Sequence, residues 1–334
     1  MRFISVLLLL AALLVAGGAS ADDVAPHTTW VGGTSYASLV GAVPGTVPGS
    51  AHPRGTILLV RSMLHRGPTI AEIDIARGRV LRDSSLGWPE GQVRAARSGD
   101  TLHVLADDDR SRVRYARVDA NTLHATCRAD LGTGFLAGVA SDGNVTAVAW
   151  GDHPSLADEV LHVALLDPSC HETGAAILRT LRDERDQVAV VSGTALVVAF
   201  AGDQPALVSL RADGSTIRRL ALPFTAPHPS LAAHAGQLLV GGPATILTLS
   251  PQLDVVATHP VDVSTARLAV SDDGRILTTF GDILTSSFTR QGRIGLAPEW
   301  THQVLWVGVV PVVVSTPREG STSVNITTPE SPIP

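Results

Sequence analysis

Four places along this chain put a carboxylate just past a short apolar run: Asp107-Asp108-Asp109, Gly151-Asp152, Gly202-Asp203 and Gly281-Asp282. Carboxylate oxygens drawn from several turns are what a Ca²⁺ ion takes, since it needs six to eight oxygen ligands. The same residues also suit plain turn chemistry, because Asp bonds its own backbone and tolerates left-handed conformations. The first group is followed by Arg110, Arg112 and Arg114, which offer it local ion pairing. Asp107, Asp152, Asp203 and Asp282 are therefore the candidate metal ligands, with Ca²⁺ as the single cofactor candidate.

Other chemistries find less support. The twelve histidines fall into no His-Glu-x-x-His pattern, and no Cys-x-x-Cys occurs. His103 and His162 sit on apolar runs, where a hydrogen-bonded structural role is the ordinary reading. No Gly-x-Ser-x-Gly elbow is present, so a hydrolase of that type has no motif to stand on. All 25 basic residues are arginine, which removes Schiff-base catalysis, a P-loop lysine and a lysine general base. Asn144-Val145-Thr146 and Asn325-Ile326-Thr327 match the acceptor pattern for N-glycosylation.

The first 21 residues read as a leader: Arg2, an apolar stretch from Val6 to Val15, then Ala19-Ser20-Ala21 as a small-residue cleavage site. That stretch is too short to span a bilayer, and Asp22-Asp23 follow at once. The expectation is a secreted or periplasmic protein beginning at Asp22. Its formal charge of −6 becomes −7 without Arg2, which lacks the basic footprint of a nucleic-acid binder. In an oxidising compartment Cys127 and Cys170 are expected to form a disulfide, the alternative being two buried free thiols.

These residues hang on a repeat. Glycine-marked turns at Gly55, Gly99, Gly143, Gly193, Gly236 and Gly274 each lead into a short apolar strand, at intervals of 44, 44, 50, 43 and 38 residues. Each unit reads strand, tight turn, strand, polar loop, strand, turn, strand; QVAVV, TALVVAF, ALVSLRAD and STIRRLAL show it best. A final pair, HQVLWVGVV and PVVVSTP, adds a seventh unit. Its apolar part, Val304 to Ser315, is too short to span a membrane. Ile177 to Arg185 has some helical character, but it lies in the longest interval, where a short insertion or an extended outer strand accounts for it. Trp150, Phe200 and Phe280 recur at the end of the second strand and read as wedge fillers between sheets.

A strand-only period of 40 to 50 residues resembles the β-propeller superfamily, in the manner of secreted WD40-like and YVTN-like repeat proteins. The resemblance rests on period and turns: the Trp-Asp and Gly-His signatures, the YVTN tetrapeptide and the tryptophan motifs of quinone-dependent propellers are missing. It implies an all-β fold of seven four-stranded antiparallel blades over residues 22–315. It also implies that the acidic turns share one face, around a mouth of the central channel. Ring closure calls for an N-terminal strand, for which His27 to Gly33 is the candidate. The Ser/Thr/Pro-rich tail, 316–334, is expected as a loosely held edge strand or as disordered.

The functional reading is an exported, monomeric and non-catalytic propeller that binds a protein or a small ligand on that face, with no nucleic acid and no membrane span. The alternative is a metal-assisted hydrolase or lactonase using carboxylates at the channel mouth, and a purely structural surface element is a third.

Overall fold

The computed structural model describes residues 23–24, 26–31, 40–49, 51–63, 66–108, 110–155, 158–180, 188–201, 204–224, 229–263, 267–296, 300–317 and 324–330. Its strands form seven antiparallel sheets, and no helix occurs among the described residues. Blade 1 comprises Val40–Pro44, Thr56–Met63, Gly67–Asp74 and Arg79–Ser85. Blade 2 comprises Val93–Ser98, Thr101–Ala106, Arg112–Asp119 and Ala125–Thr133. Blade 3 runs through Phe135–Ser141, Thr146–Ser155, Asp158–Leu166 and Glu172–Thr180. Blade 4 runs through Val188–Val191, Thr194–Ala201, Gln204–Leu210 and Thr216–Ala221. Blade 5 has Ser230–His234, Gln237–Gly242, Thr245–Leu249 and Val255–Pro260; blade 6 has Leu268–Val270, Ile276–Thr278, Asp282–Leu284 and Arg290–Ile294. The first strands touch one another in ring order, and Trp300–Val307 of blade 7 returns to Val40–Pro44 of blade 1. The chain is a seven-bladed β-propeller.

Blade 7 is assembled from both ends of the sequence. Its order is Trp300–Val307, Val310–Pro317, Val324–Pro329 and, outermost, Pro26–Val31. Pro26–Val31 pairs antiparallel with Val324–Pro329, and Thr29 lies opposite Ile326. Asp23–Val24 then adds a short parallel strand to the outer edge of blade 6. The expected propeller boundary at residue 315 therefore moves. Val324–Pro329 is an internal strand rather than an edge, because Pro26–Val31 pairs outside it, and its Val324 and Ile326 are fully buried in the core shared with blade 1. The helical character near Ile177 resolves as the outer strand Glu172–Thr180 of blade 3, and residues 181–185 lie outside the described residues.

Burial explains the strand composition. Gly67–Asp74 is buried at every position, while the neighbouring outer strand Arg79–Ser85 is mostly exposed. Inner strands meet apolar neighbours on both faces, so Val, Leu, Ile and Ala occupy nearly every site. Outer strands have only one face to bury. Six of the glycine turns sit just before the second strand, all with positive φ. Ser192-Gly193 and Ala235-Gly236 are two-residue loops with positive φ at both positions, the geometry that follows the right-handed twist of the paired strands.

A second repeated turn joins the third strand to the outer strand. Position one carries a side-chain acceptor for amides inside the turn: Asp74 for Ala76 and Arg77, Asp119 for Asn121 and Thr122, Asp167 for Ser169 and His171. Ser250 and Thr285 play that part in blades 5 and 6. The last residue of the turn has positive φ: it is the fifth residue in blades 1 and 2, Gly78 and Leu123, and the fourth in blades 3 to 6, Cys170, Gly214, Leu253 and Phe288, counting from the capping residue or its equivalent. The larger of these point at the preceding blade. Leu123 packs with Leu58 and Ile70 of blade 1, Leu253 with Val191 and Leu207 of blade 4, and Phe288 stacks on His259 of blade 5 at 3.7 Å. Gly214 has no side chain because the backbone of Ala175 in blade 3 occupies that space, 2.2 Å from where a Cβ would lie.

Cys170 holds the same position in blade 3 and is joined by a disulfide to Cys127 on the outer strand of blade 2, with a Cα–Cα distance of 6.0 Å. The turns are also latched by hydrogen bonds from the preceding blade. Arg117 donates to the carbonyl of Pro168 at 2.7 Å, Thr173 to Ala212 at 2.9 Å and Ser209 to Pro251 at 3.2 Å.

Candidate functional site

Connections alternate ends in an antiparallel blade. Hairpins joining first to second and third to outer strands lie on one face; second-to-third connections and the passages between blades lie on the other. The acidic turns belong to the second face.

Asp107 follows the second strand of blade 2 and is buried. Its carboxylate accepts the Gln92 amide at 2.5 Å, and its own amide donates to the Gln92 carbonyl at 3.2 Å. Burial pushes its carboxyl up to about 6, against the Gln92 amide and the charge of Arg94; neighbouring Asp108 adds to the rise. Asp108 is held low despite burial. It accepts amides from Arg112 and Arg110, both at 2.9 Å, and pairs with Arg114 at 3.1 Å.

Asp152 lies half-buried within the second strand of blade 3, opposite Val160. Asp282 opens the third strand of blade 6, buried and paired with Arg290 at 3.1 Å and Arg293 at 3.8 Å. Burial raises its carboxyl, the two arginines oppose the rise, and Asp262 reinforces it. Asp203 and Asp109 lie outside the described residues. Asp107, Asp152 and Asp282 thus share a face but belong to different blades. Among the described residues no group of three or more His, Cys, Asp or Glu side chains is placed to hold a metal ion.

The histidines and aromatics serve packing in several places. His103 lies between blades 2 and 3, with Nδ1 2.7 Å from the Tyr115 hydroxyl and Nε2 2.8 Å from Ser98 Oγ. Thr146 of blade 3 reaches the same Nδ1 at 3.3 Å. Trp150 is buried and stacks on His162 at 5.3 Å. Phe280 departs from the wedge-filling expectation: it is 44% exposed. It sits at the turn itself, where its carbonyl accepts from Arg293. The side chain of Phe200 lies outside the described residues.

One constellation is not singled out by periodic reading, although its first bond and its aromatic recur in the passage from blade 4, where Leu222 donates to the Pro205 carbonyl at 2.9 Å and Phe224 packs on the core. The passage from blade 1 to blade 2 carries Trp88, and it is tied down along its length. Leu86 donates to the Pro68 carbonyl at 3.0 Å, Gly91 to Ser62 Oγ at 3.2 Å, and Gln92 to Asp107. Trp88 packs against the core shared by the two blades, and the Arg128 guanidinium lies 5.6 Å from its ring centroid. Beside them opens a cavity of about 260 Å³ lined by Trp88, Arg114, Arg128, Ala129 and Asp130. Arg114 is fixed between Asp108 and Asp130.

No family model matches this sequence, and no curated protein matches it either. Solved structures do resemble it in fold. A chain in a crystal structure of a mitotic checkpoint complex aligns with a TM-score of 0.59 at 12% identity, over 92% of each chain. The Dos1 propeller aligns with a TM-score of 0.49 at 10% identity, over 83% of this chain and 65% of that one. Among the described residues no helix is long and apolar enough to cross a membrane.

Proposed function

We propose that this protein is an exported, non-catalytic scaffold that binds a protein or small-ligand partner on the face carrying the passages between blades. The observation that carries the reading is the passage 86–92. It is pinned to both flanking blades and presents a tryptophan beside a cavity also lined by Arg128, a residue of the outer strand of blade 2 with no carboxylate partner among the described residues. Connecting segments held by a rigid scaffold are where recognition concentrates, and a pre-ordered surface avoids the entropic cost of ordering on binding. The opposite face is built from turns committed to latching neighbouring blades. Export fits the leader in the sequence and the Cys127–Cys170 bridge.

Site-specific photo-crosslinking in the native host tests the reading. A photoreactive residue at exposed Pro89 should yield a reproducible adduct, while one at exposed Asn121, on the opposite face, should not. Adducts from Asn121 alone, or none from Pro89, would overturn it.

A further inference from the structure

We propose that the Trp88–Arg128 cleft is a pocket for a single acidic side chain, the carboxylate of an Asp or Glu on a partner polypeptide. The proposal rests on the scaffold reading and names the chemistry of its partner. Three observations point this way.

The first is charge. Arg114 is already matched by Asp108 at 3.1 Å and Asp130 at 3.4 Å. Arg128 has no carboxylate partner among the described residues, its recorded contact being the Trp88 ring. Arg114 and Arg128 are thus matched in number by Asp108 and Asp130, but both carboxylates sit on Arg114, so Arg128 is the cation of the cleft left without a carboxylate partner among the described residues. A guanidinium offers a planar fork that suits a carboxylate, and stacking on an aromatic face leaves its N–H edge free to donate. The second is size. At about 260 Å³ the cavity lies below the usual range for a drug-sized ligand, but it has room for a carboxylate and its methylene stem. Trp88 and Ala129 supply the apolar wall for that stem. The third is rigidity. Trp88 rides on the pinned passage, and Arg114 is clamped by two carboxylates, so little ordering remains to be done on binding.

The test uses the whole exported chain and a blocked alanine pentapeptide with one central glutamate, against its glutamine counterpart. The Trp88 indole N–H, assigned by W88F, is followed by NMR. The glutamate peptide should shift it saturably, and the glutamine peptide should bind at least about tenfold more weakly. R128A should abolish the shift without moving the melting midpoint, because Arg128 is exposed, and R128K should restore it in part. Equal binding of the two peptides, a silent Trp88 resonance, or unchanged binding in R128A would overturn the proposal. Propionate binding as tightly as the peptide would replace the polypeptide with a free small acid and overturn it too. A Pro89 crosslink that persists in R128A, with no glutamate binding, leaves the scaffold reading standing and removes this one alone.

Discussion

His103 is enclosed by Ser98, Tyr115 and Thr146 where blades 2 and 3 meet. Burial, and secondarily the charge of Arg117, lowers its pKa from 6.5 to about 4. The unfolded chain takes up a proton at this residue as pH falls through 6.5, while the native chain refuses one until about 4. The neutral-state advantage is present above that window and is lost as pH falls across it, by up to about 3 kcal/mol. Urea denaturation at several pH values should show this loss, and His103→Gln should flatten it; equal slopes in the two proteins would exonerate His103. Its strand position was readable from the sequence, but not its partners, since Thr146 lies in another blade. The acidic turns illustrate the same limit. The resemblance to propellers implied that they share one face, yet Asp282 meets Arg290 and Arg293 through strand pairing that no motif announces. With Asp107 and Asp282 already provided with partners, melting midpoints in Ca²⁺ and in chelator, at matched ionic strength, should coincide. A midpoint that rises with Ca²⁺ would reinstate these turns as a cation site.

At the scale of the element, the turn between third and outer strands joins one blade to the next beside the cores that the blades share. Its capping acceptor orders the turn, its second carbonyl takes a bond from the preceding blade, and its left-handed residue fills the gap between blades. Periodic glycines made the other hairpin obvious, whereas here Leu, Cys and Phe occupy a left-handed position usually given to Gly or Asn. That choice hid the repeat from a search for glycine. It also sets the disulfide in context, because Cys170 stands where Leu123 and Leu253 stand in other blades. The bridge closes a sequence separation of 43 and should contribute about 4 kcal/mol in the chain-entropy account, before any native-state cost. Reduction should lower the denaturation midpoint accordingly. The pair Cys127→Ala with Cys170→Leu should recover part of the loss relative to Cys127→Ala with Cys170→Ala, because leucine restores the apolar plug. Identical midpoints for the two double variants would show that this position carries no packing role.

For the whole molecule, six glycine turns and a final strand pair, read with the propeller resemblance, pointed to seven blades, because the units repeat the same hairpin grammar. The composition of the last blade was less legible. Ser, Thr and Pro between residues 316 and 334 resemble an unstructured tail, yet Val324 and Ile326 are buried against Ile57 and Ile73 of blade 1, and Pro26–Val31 pairs along the outer edge of their strand. Deleting residues 23–31 should uncover that strand, lower the melting midpoint and produce concentration-dependent association through the bared edge. A truncated protein that stays monomeric with an unchanged midpoint would mean the ring is closed by its first strands alone. Pairing Thr28 with Thr327 also has a consequence in time. A ribosome adding roughly 5 to 20 residues per second needs about 15 to 60 seconds to travel between them. Throughout that interval Pro26–Val31 has no partner to meet. Six blades are already written before Pro26–Val31 finds its place.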